Sequence, residues 1–240
     1  MLCVSLPAAA LLIRDDRDDA EYRELASRYT SAAALASPDG EGALVAPAWV
    51  LTSGTFARAL EAKRGATVMV AGKARRVAGI FTHPKAREHQ PEDIALLRLR
   101  DAVTGVEPVR LYRKDDEAGQ GLVFVAHGAT GRIGTEARTR DGAARAAINT
   151  IERLTPLSLA VVIKGQDDAS DLQGVLVAGE EGAPAYIEAP EGIFLAGLYY
   201  GDGGTANLFS RLSAFLPWVE ATMVGSERDE MRRMLGDEAR

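Results

Sequence analysis

The chain has 240 residues, enough for one large domain or two small ones with a sizeable core. Hydrophobic residues make up 47% and charged residues 26%, a globular composition. The net charge of −6 argues against a nucleic-acid binder and gives no support for docking on anionic membrane.

Cys3 is the only cysteine, which excludes an internal disulfide and a thiolate zinc site. His83, His89 and His127 are scattered, and none has a second histidine at metal-ligand spacing. No metal and no cofactor is expected. Leu2 to Ile13 is mostly apolar and contains Ala8-Ala9-Ala10. It reads as a signal h-region with no preceding lysine or arginine, as a first strand, or as the product of a start inside a longer frame. It is too short to span a bilayer, so no membrane span is expected.

Asp15 to Asp19 is a charged turn. Tyr22, Leu25, Ala26 and Tyr29 then recur at helical spacing, with Asp18 or Asp19 as cap. From Ala32 onward the apolar runs are short. They fall at Ala43–Ala46, Trp49–Leu51, Thr67–Val70, Arg76–Ile80, Ile94–Leu99, Gly121–Ala126, Leu157–Ile163, Ala185–Ile187 and Ile193–Leu198. The 24 glycines and 10 prolines punctuate them, the pattern of an all-β sandwich or barrel. Arg132 to Arg145 reads as a loop or weak hairpin. Leu212, Phe215, Leu216, Val219 and Met223 return to helical period, with Ser213 as cap and Pro217 in the first turn. Ser226 to Arg240 is a charged helical extension or a disordered tail.

Four segments in order resemble the trypsin-like (chymotrypsin-fold) serine proteases. Gly42-Ala43-Leu44-Val45-Ala46-Pro47-Ala48-Trp49-Val50-Leu51-Thr52 is similar to the strand pair leading to the family's histidine. His83-Pro84 and Glu92-Asp93-Ile94-Ala95-Leu96-Leu97-Arg98-Leu99 resemble the segment holding its aspartate. Val106-Glu107-Pro108-Val109-Arg110-Leu111 matches the Val-x-Pro-Val-x-Leu that follows. Gly179-Glu180-Glu181-Gly182-Ala183-Pro184 resembles the nucleophile loop Gly-Asp-Ser-Gly-Gly-Pro. Leu195–Leu198, Leu208–Leu212 and Trp218-Val219 continue the match to the pocket wall and C-terminal helix.

The resemblance implies an all-β fold of two six-stranded Greek-key barrels, with a short N-terminal helix and a C-terminal helix. Residues 1–240 would form one such domain, with barrels at 30–115 and 116–211 and the helix and charged tail at 212–240. It also implies a secreted or periplasmic protein, while the ambiguous start leaves a cytoplasmic one open.

The family's chemistry needs a serine that attacks, a histidine that takes its proton and an aspartate that orients the histidine. Here the histidine position is Thr55, and a hydroxyl of very high pKa is no general base near neutral pH. The serine position is Glu181, and the aspartate survives as Asp93. The implied oxyanion donors are the N–H groups of Gly179 and Glu181. An anionic side chain there would repel an oxyanion or fold back on those donors. Glu180 replaces the aspartate that pairs with a freed N-terminus in the family. Leu12-Ile13-Arg14-Asp15 stands near where an activation site would be. The base of the primary pocket falls on Val175, with Tyr199 and Tyr200 near its wall.

The expectation is a catalytically inactive serine protease homologue that binds a protein or peptide partner. Two alternatives stand beside it. One is an active hydrolase with a relocated nucleophile, for which Ser53 and Ser210 are the nearest candidates by motif. The other is a structural module of a larger assembly.

Overall fold

The computed structural model describes residues 10–35, 40–63, 65–70, 72–135, 139–165 and 167–234. The expected signal-like run thus lies outside them as far as residue 9, as do Cys3, the first residue of the Ala71-Gly72 turn and the tail from 235. Strand β1 is Ala10–Ile13, which makes the last part of that run a strand. Helix α1, Asp19–Ala26, follows, capped by Asp18, whose side chain accepts from the Ala20 N–H while Glu21 reaches back.

Strands β2 (Ala32–Leu35), β3 (Gly40–Ala46), β4 (Trp49–Ser53), β5 (Thr67–Val70), β6 (Lys73–Thr82) and β7 (Ile94–Leu99) form one sheet, in the order β2-β3-β4-β7-β6-β5. Among the described residues no ladder joins β2 to β5, so this sheet is a half-barrel and not the closed barrel expected. Both edge strands are only four residues long, which leaves little backbone to zip the seam. Helix α2, Gly54–Glu61, interrupts the strand series after β4. No element was expected at these residues, and burial of Phe56, Ala57 and Leu60 against the sheet favours the helix.

The second half holds β8 (Arg110–Leu111), β9 (Gly121–Ala126), β10 (Ala129–Arg132), β11 (Thr139–Arg140), β12 (Arg145–Leu154), β13 (Ser158–Val162), β14 (Gly174–Leu176), β15 (Pro184–Ala189), β16 (Gly192–Asp202) and β17 (Ala206–Arg211). Six of these close a barrel in the order β15-β9-β12-β13-β17-β16, with β15 pairing back onto β16. β10 and β11 form the weak hairpin expected of the polar segment. A separate sheet runs β11-β10-β1-β14, with β1 parallel to β10 and antiparallel to β14.

The chain ends in a 3-10 turn, Leu212–Phe215, and helix α3, Leu216–Met234, with Pro217 in its first turn. Ser213 is not its cap. The Ser213 hydroxyl donates to the buried Glu117 carboxylate at 2.9 Å, which also accepts from Arg211. The seam between the halves is apolar. Ala43, Trp49, Leu51, Ile94 and Leu96 of the first sheet join one cluster with Val123, Val125, Tyr186, Leu195 and Leu198 of the barrel. Hydrophobic burial of this seam fixes how loops from the two halves meet.

Candidate functional site

The first half of the site forms where β4 ends. The Ser53 hydroxyl accepts from the Phe56 N–H at 3.1 Å and caps α2. Thr55 thereby sits in the first turn of a helix, half-buried. The Gly54 N–H donates to the Asp93 carbonyl at 3.1 Å, which brings the start of β7 alongside. A Cβ on Gly54 would lie 2.8 Å from Asp93 Oδ1, so glycine permits this approach.

Asp93 is 1% exposed. Its Oδ1 accepts from Arg58 Nη2 at 3.2 Å, and the same nitrogen donates to the Thr55 hydroxyl at 3.0 Å. Oδ2 has no hydrogen-bond partner among the described residues. Burial pushes the Asp93 pKa above the usual carboxylate range, with the Thr55 hydroxyl and amide and the Arg58 charge pulling the other way. Arg58 was not expected from the motif. Its signal was present as a cation three residues after Thr55, one helical turn away.

The second half is the loop between β14 and β15. Gly179 and Gly182 adopt φ of 101° and 92°, which a side chain would resist. The Glu181 carboxylate folds back onto the Gly179 N–H, with oxygens at 3.1 and 3.0 Å. It thus sits on one of the two amides expected to form an oxyanion hole. The Gly182 N–H donates to the Tyr199 carbonyl at 2.8 Å, and the Tyr199 N–H to the Ala183 carbonyl at 2.9 Å. Glu180 is buried, with 1% exposure.

The two halves touch. A Cβ on Gly182 would collide with the Glu41 carbonyl and lie 3.0 Å from the Ser53 nitrogen. Glu41 was missed by sequence reasoning, as was its partner. Its carboxylate accepts from the His127 N–H at 2.7 Å and pairs with His127 Nδ1 at 2.9 Å, across the seam. Burial opposes the charged imidazole, but the Glu41 charge and hydrogen bond outweigh it and raise the His127 pKa. No spacing in the sequence links residues 86 positions apart.

The pocket-like residues are packed by the chain itself. Val175 lies on β14, opposite Leu12 of β1, in a small apolar cluster with Ala129, Ile133 and Val177. Tyr199 is fully buried; its hydroxyl donates to Asp202 at 2.9 Å and its ring meets Phe209 edge-on. Tyr200 is also buried, its hydroxyl 2.9 Å from that of Ser158. Ser53 and Ser210 are both fully buried.

A family model described as Trypsin matches residues 21–153, more than half of the chain. The chain belongs to the trypsin family. The fold of neuropsin, a serine protease expressed in the limbic system of mouse brain, is similar, with a TM-score of 0.63 at 20% identity. That alignment covers 82% of this chain and 96% of neuropsin. A mutant of human heparin binding protein aligns with a TM-score of 0.62 at 16% identity, covering 87% of this chain and 94% of its own. No curated protein sequence matches the chain. The trypsin-family match ends at residue 153, so the Glu181 loop lies beyond it, and there the structural likeness speaks for the fold alone. Among the described residues no helix is long and apolar enough to cross a membrane, and no group of three or more His, Cys, Asp and Glu side chains is placed to hold a metal.

Proposed function

We propose that this chain is a trypsin-family protein without protease activity, acting instead by binding a protein or peptide partner. The observation that carries the reading is the Arg58 guanidinium on Asp93. The family's chemistry needs a neutral imidazole on the aspartate, and the group on Asp93 in this chain is a permanent cation. A guanidinium is already fully protonated near neutral pH, so it cannot receive a proton from a nucleophile there. The Glu181 carboxylate on the Gly179 amide supports the same reading, since it takes up a donor that a developing oxyanion would need.

A relocated nucleophile is not favoured. Ser53 and Ser210 are shut off from solvent, and the Ser53 hydroxyl is committed to the α2 cap. One structural relative is named for binding heparin, so the fold is compatible with a binding task. The net charge of −6 directs this chain towards a partner other than a polyanion.

The test is reaction of the purified chain with a fluorophosphonate probe and a broad panel of peptide substrates. Neither labelling nor turnover is expected. Labelling of any serine would overturn the reading. Light scattering after size exclusion then separates a monomeric binder from a module of a stable assembly.

A further inference from the structure

Charge is spread unevenly along the chain. Residues 54–101 hold ten Lys and Arg against five Asp and Glu, while the other 192 hold eighteen against 29. A basic segment, containing α2, β5, β6 and β7, thus stands within an acidic protein.

Strand alternation gathers part of that charge on one face. Ala95, Leu97 and Leu99 of β7 enter the half-barrel core, while Ile94 and Leu96 belong to the seam cluster on the opposite face. Arg98 and Arg100 follow Ile94 and Leu96 on that second face. Val77 of β6 lies opposite Leu99 and packs against the same half-barrel core, so Arg76 falls on the face of Arg98 and Arg100. The Arg100 N–H donates to the Arg76 carbonyl at 2.8 Å, which sets the two arginines side by side. Both are exposed, and neither has a carboxylate partner among the described residues.

Arg98 shows what this row of arginines takes. It pairs with the Glu230 carboxylate of α3 and donates to the Ser226 hydroxyl at 3.4 Å. Arg76 and Arg100 continue the row without such an acid. Next to Arg76 is a cavity of about 350 Å³, lined by Leu60, Ala66, Val77, Ala78 and Ile80 together with Glu61 and Lys63. Its apolar side chains leave room for one more.

We propose that the face around Arg76 and Arg100 docks an acidic protein segment, which sets one apolar side chain in the neighbouring cavity. Guanidinium groups bind carboxylates through a two-pronged fork of N–H donors. A short acidic segment ends within the basic region. A long nucleic acid or sulfated glycan would run on over a surface with excess carboxylates, which repel it within a Debye length of about 8 Å. Nucleic-acid bases would also find no exposed aromatic ring on β5, β6 or β7 to stack on. Arg100 and Asp93 bracket the six residues of β7, roughly 20 Å apart, so this surface is separate from the candidate site. It serves a partner whether or not that site turns over a substrate.

Fluorescence anisotropy of the full chain with a short labelled peptide of glutamates around one leucine tests this. Binding should saturate, and should weaken as salt rises from about 50 to 300 mM. Arg76→Ala with Arg100→Ala should weaken it about tenfold, while Lys114→Ala, beyond β8, should leave it unchanged. Exchanging the peptide's leucine for serine should weaken it about fivefold. No binding, an equal loss in Lys114→Ala, or equal affinity for the serine peptide overturns the proposal. Tighter binding of heparin or single-stranded DNA of matched charge overturns it in favour of a polyanion. Self-association that the double variant abolishes overturns it in favour of a second copy of this chain.

Discussion

The two halves of the candidate site each set a charged side chain against a group of the other kind, and the two charges are opposite in sign. On the half-barrel side Arg58 stands beside Asp93, a cation on a buried carboxylate. On the barrel side Glu181 lies on the Gly179 amide, an anion on a backbone donor. The means of support also differ. Asp93 is positioned by a helix start and one long side chain, which is 40% exposed. The amide loop is positioned by backbone: two left-handed glycines, contact with Glu41, and the ladder of β14 with β1. A site half built on side chains should tolerate change, and one built on backbone should not.

The widest contrast is chemical. Thr55→His with Glu181→Ser would supply the two residue types that the proposed function counts as absent. While Arg58 remains on Asp93, that double variant should stay unreactive towards a fluorophosphonate. Adding Arg58→Ala should raise the labelling rate by about 10²-fold or more, the usual scale of a positioned general base. Fast labelling of the double variant would mean that Arg58 does not hold the aspartate.

Stability should separate the halves next. Gly182→Ala meets both a left-handed φ and the Glu41 carbonyl, and should cost roughly 3–5 kcal/mol in urea unfolding. Gly54→Ala presses only on the Asp93 side chain, Ala86 and Arg58, and gains helix propensity. It should cost no more than about 1–2 kcal/mol. Equal losses would erase the distinction.

The pH profile gives smaller effects. The Asp93 pKa is raised, so its contribution to stability is full below the ordinary carboxylate value near 3.9 and is lost as pH rises through the folded value. Asp93→Asn should remove that decline from the acidic limb of a denaturation series. The raised His127 pKa acts in the same sense at higher pH. Its contribution is present below about 6.5 and fades as pH climbs through the shifted value. His127→Gln should flatten stability above that point, and an unchanged slope would remove Glu41–His127 as a seam contact.

Much of this was legible in the sequence. Strand runs such as Ile94–Leu99 and Gly121–Ala126 carry long apolar stretches, and both form strands at those bounds. The fold-back of Glu181 was one of two outcomes that its charge allowed. What stayed hidden was long-range or mixed in pattern. β12 alternates small and polar residues and gave no strand signal until β9 and β13 supplied its partners. α2 was masked by the strand before it. The placement of β1 and the Glu41–His127 pair depend on contacts between distant positions, which no local period encodes.

β1 has a consequence for the order of events in synthesis. The bond from Arg14 to the Ser170 carbonyl spans 156 positions. At 5–20 residues per second, β1 leaves the ribosome roughly 10–30 s before its β14 neighbour exists. For that interval Leu11, Leu12 and Ile13 form a short apolar strand with both edges unclaimed, a template for mispairing. The six charged residues that follow, Arg14 to Asp19, are therefore well placed as a gatekeeper for the nascent chain before Arg14 closes onto the Ser170 carbonyl.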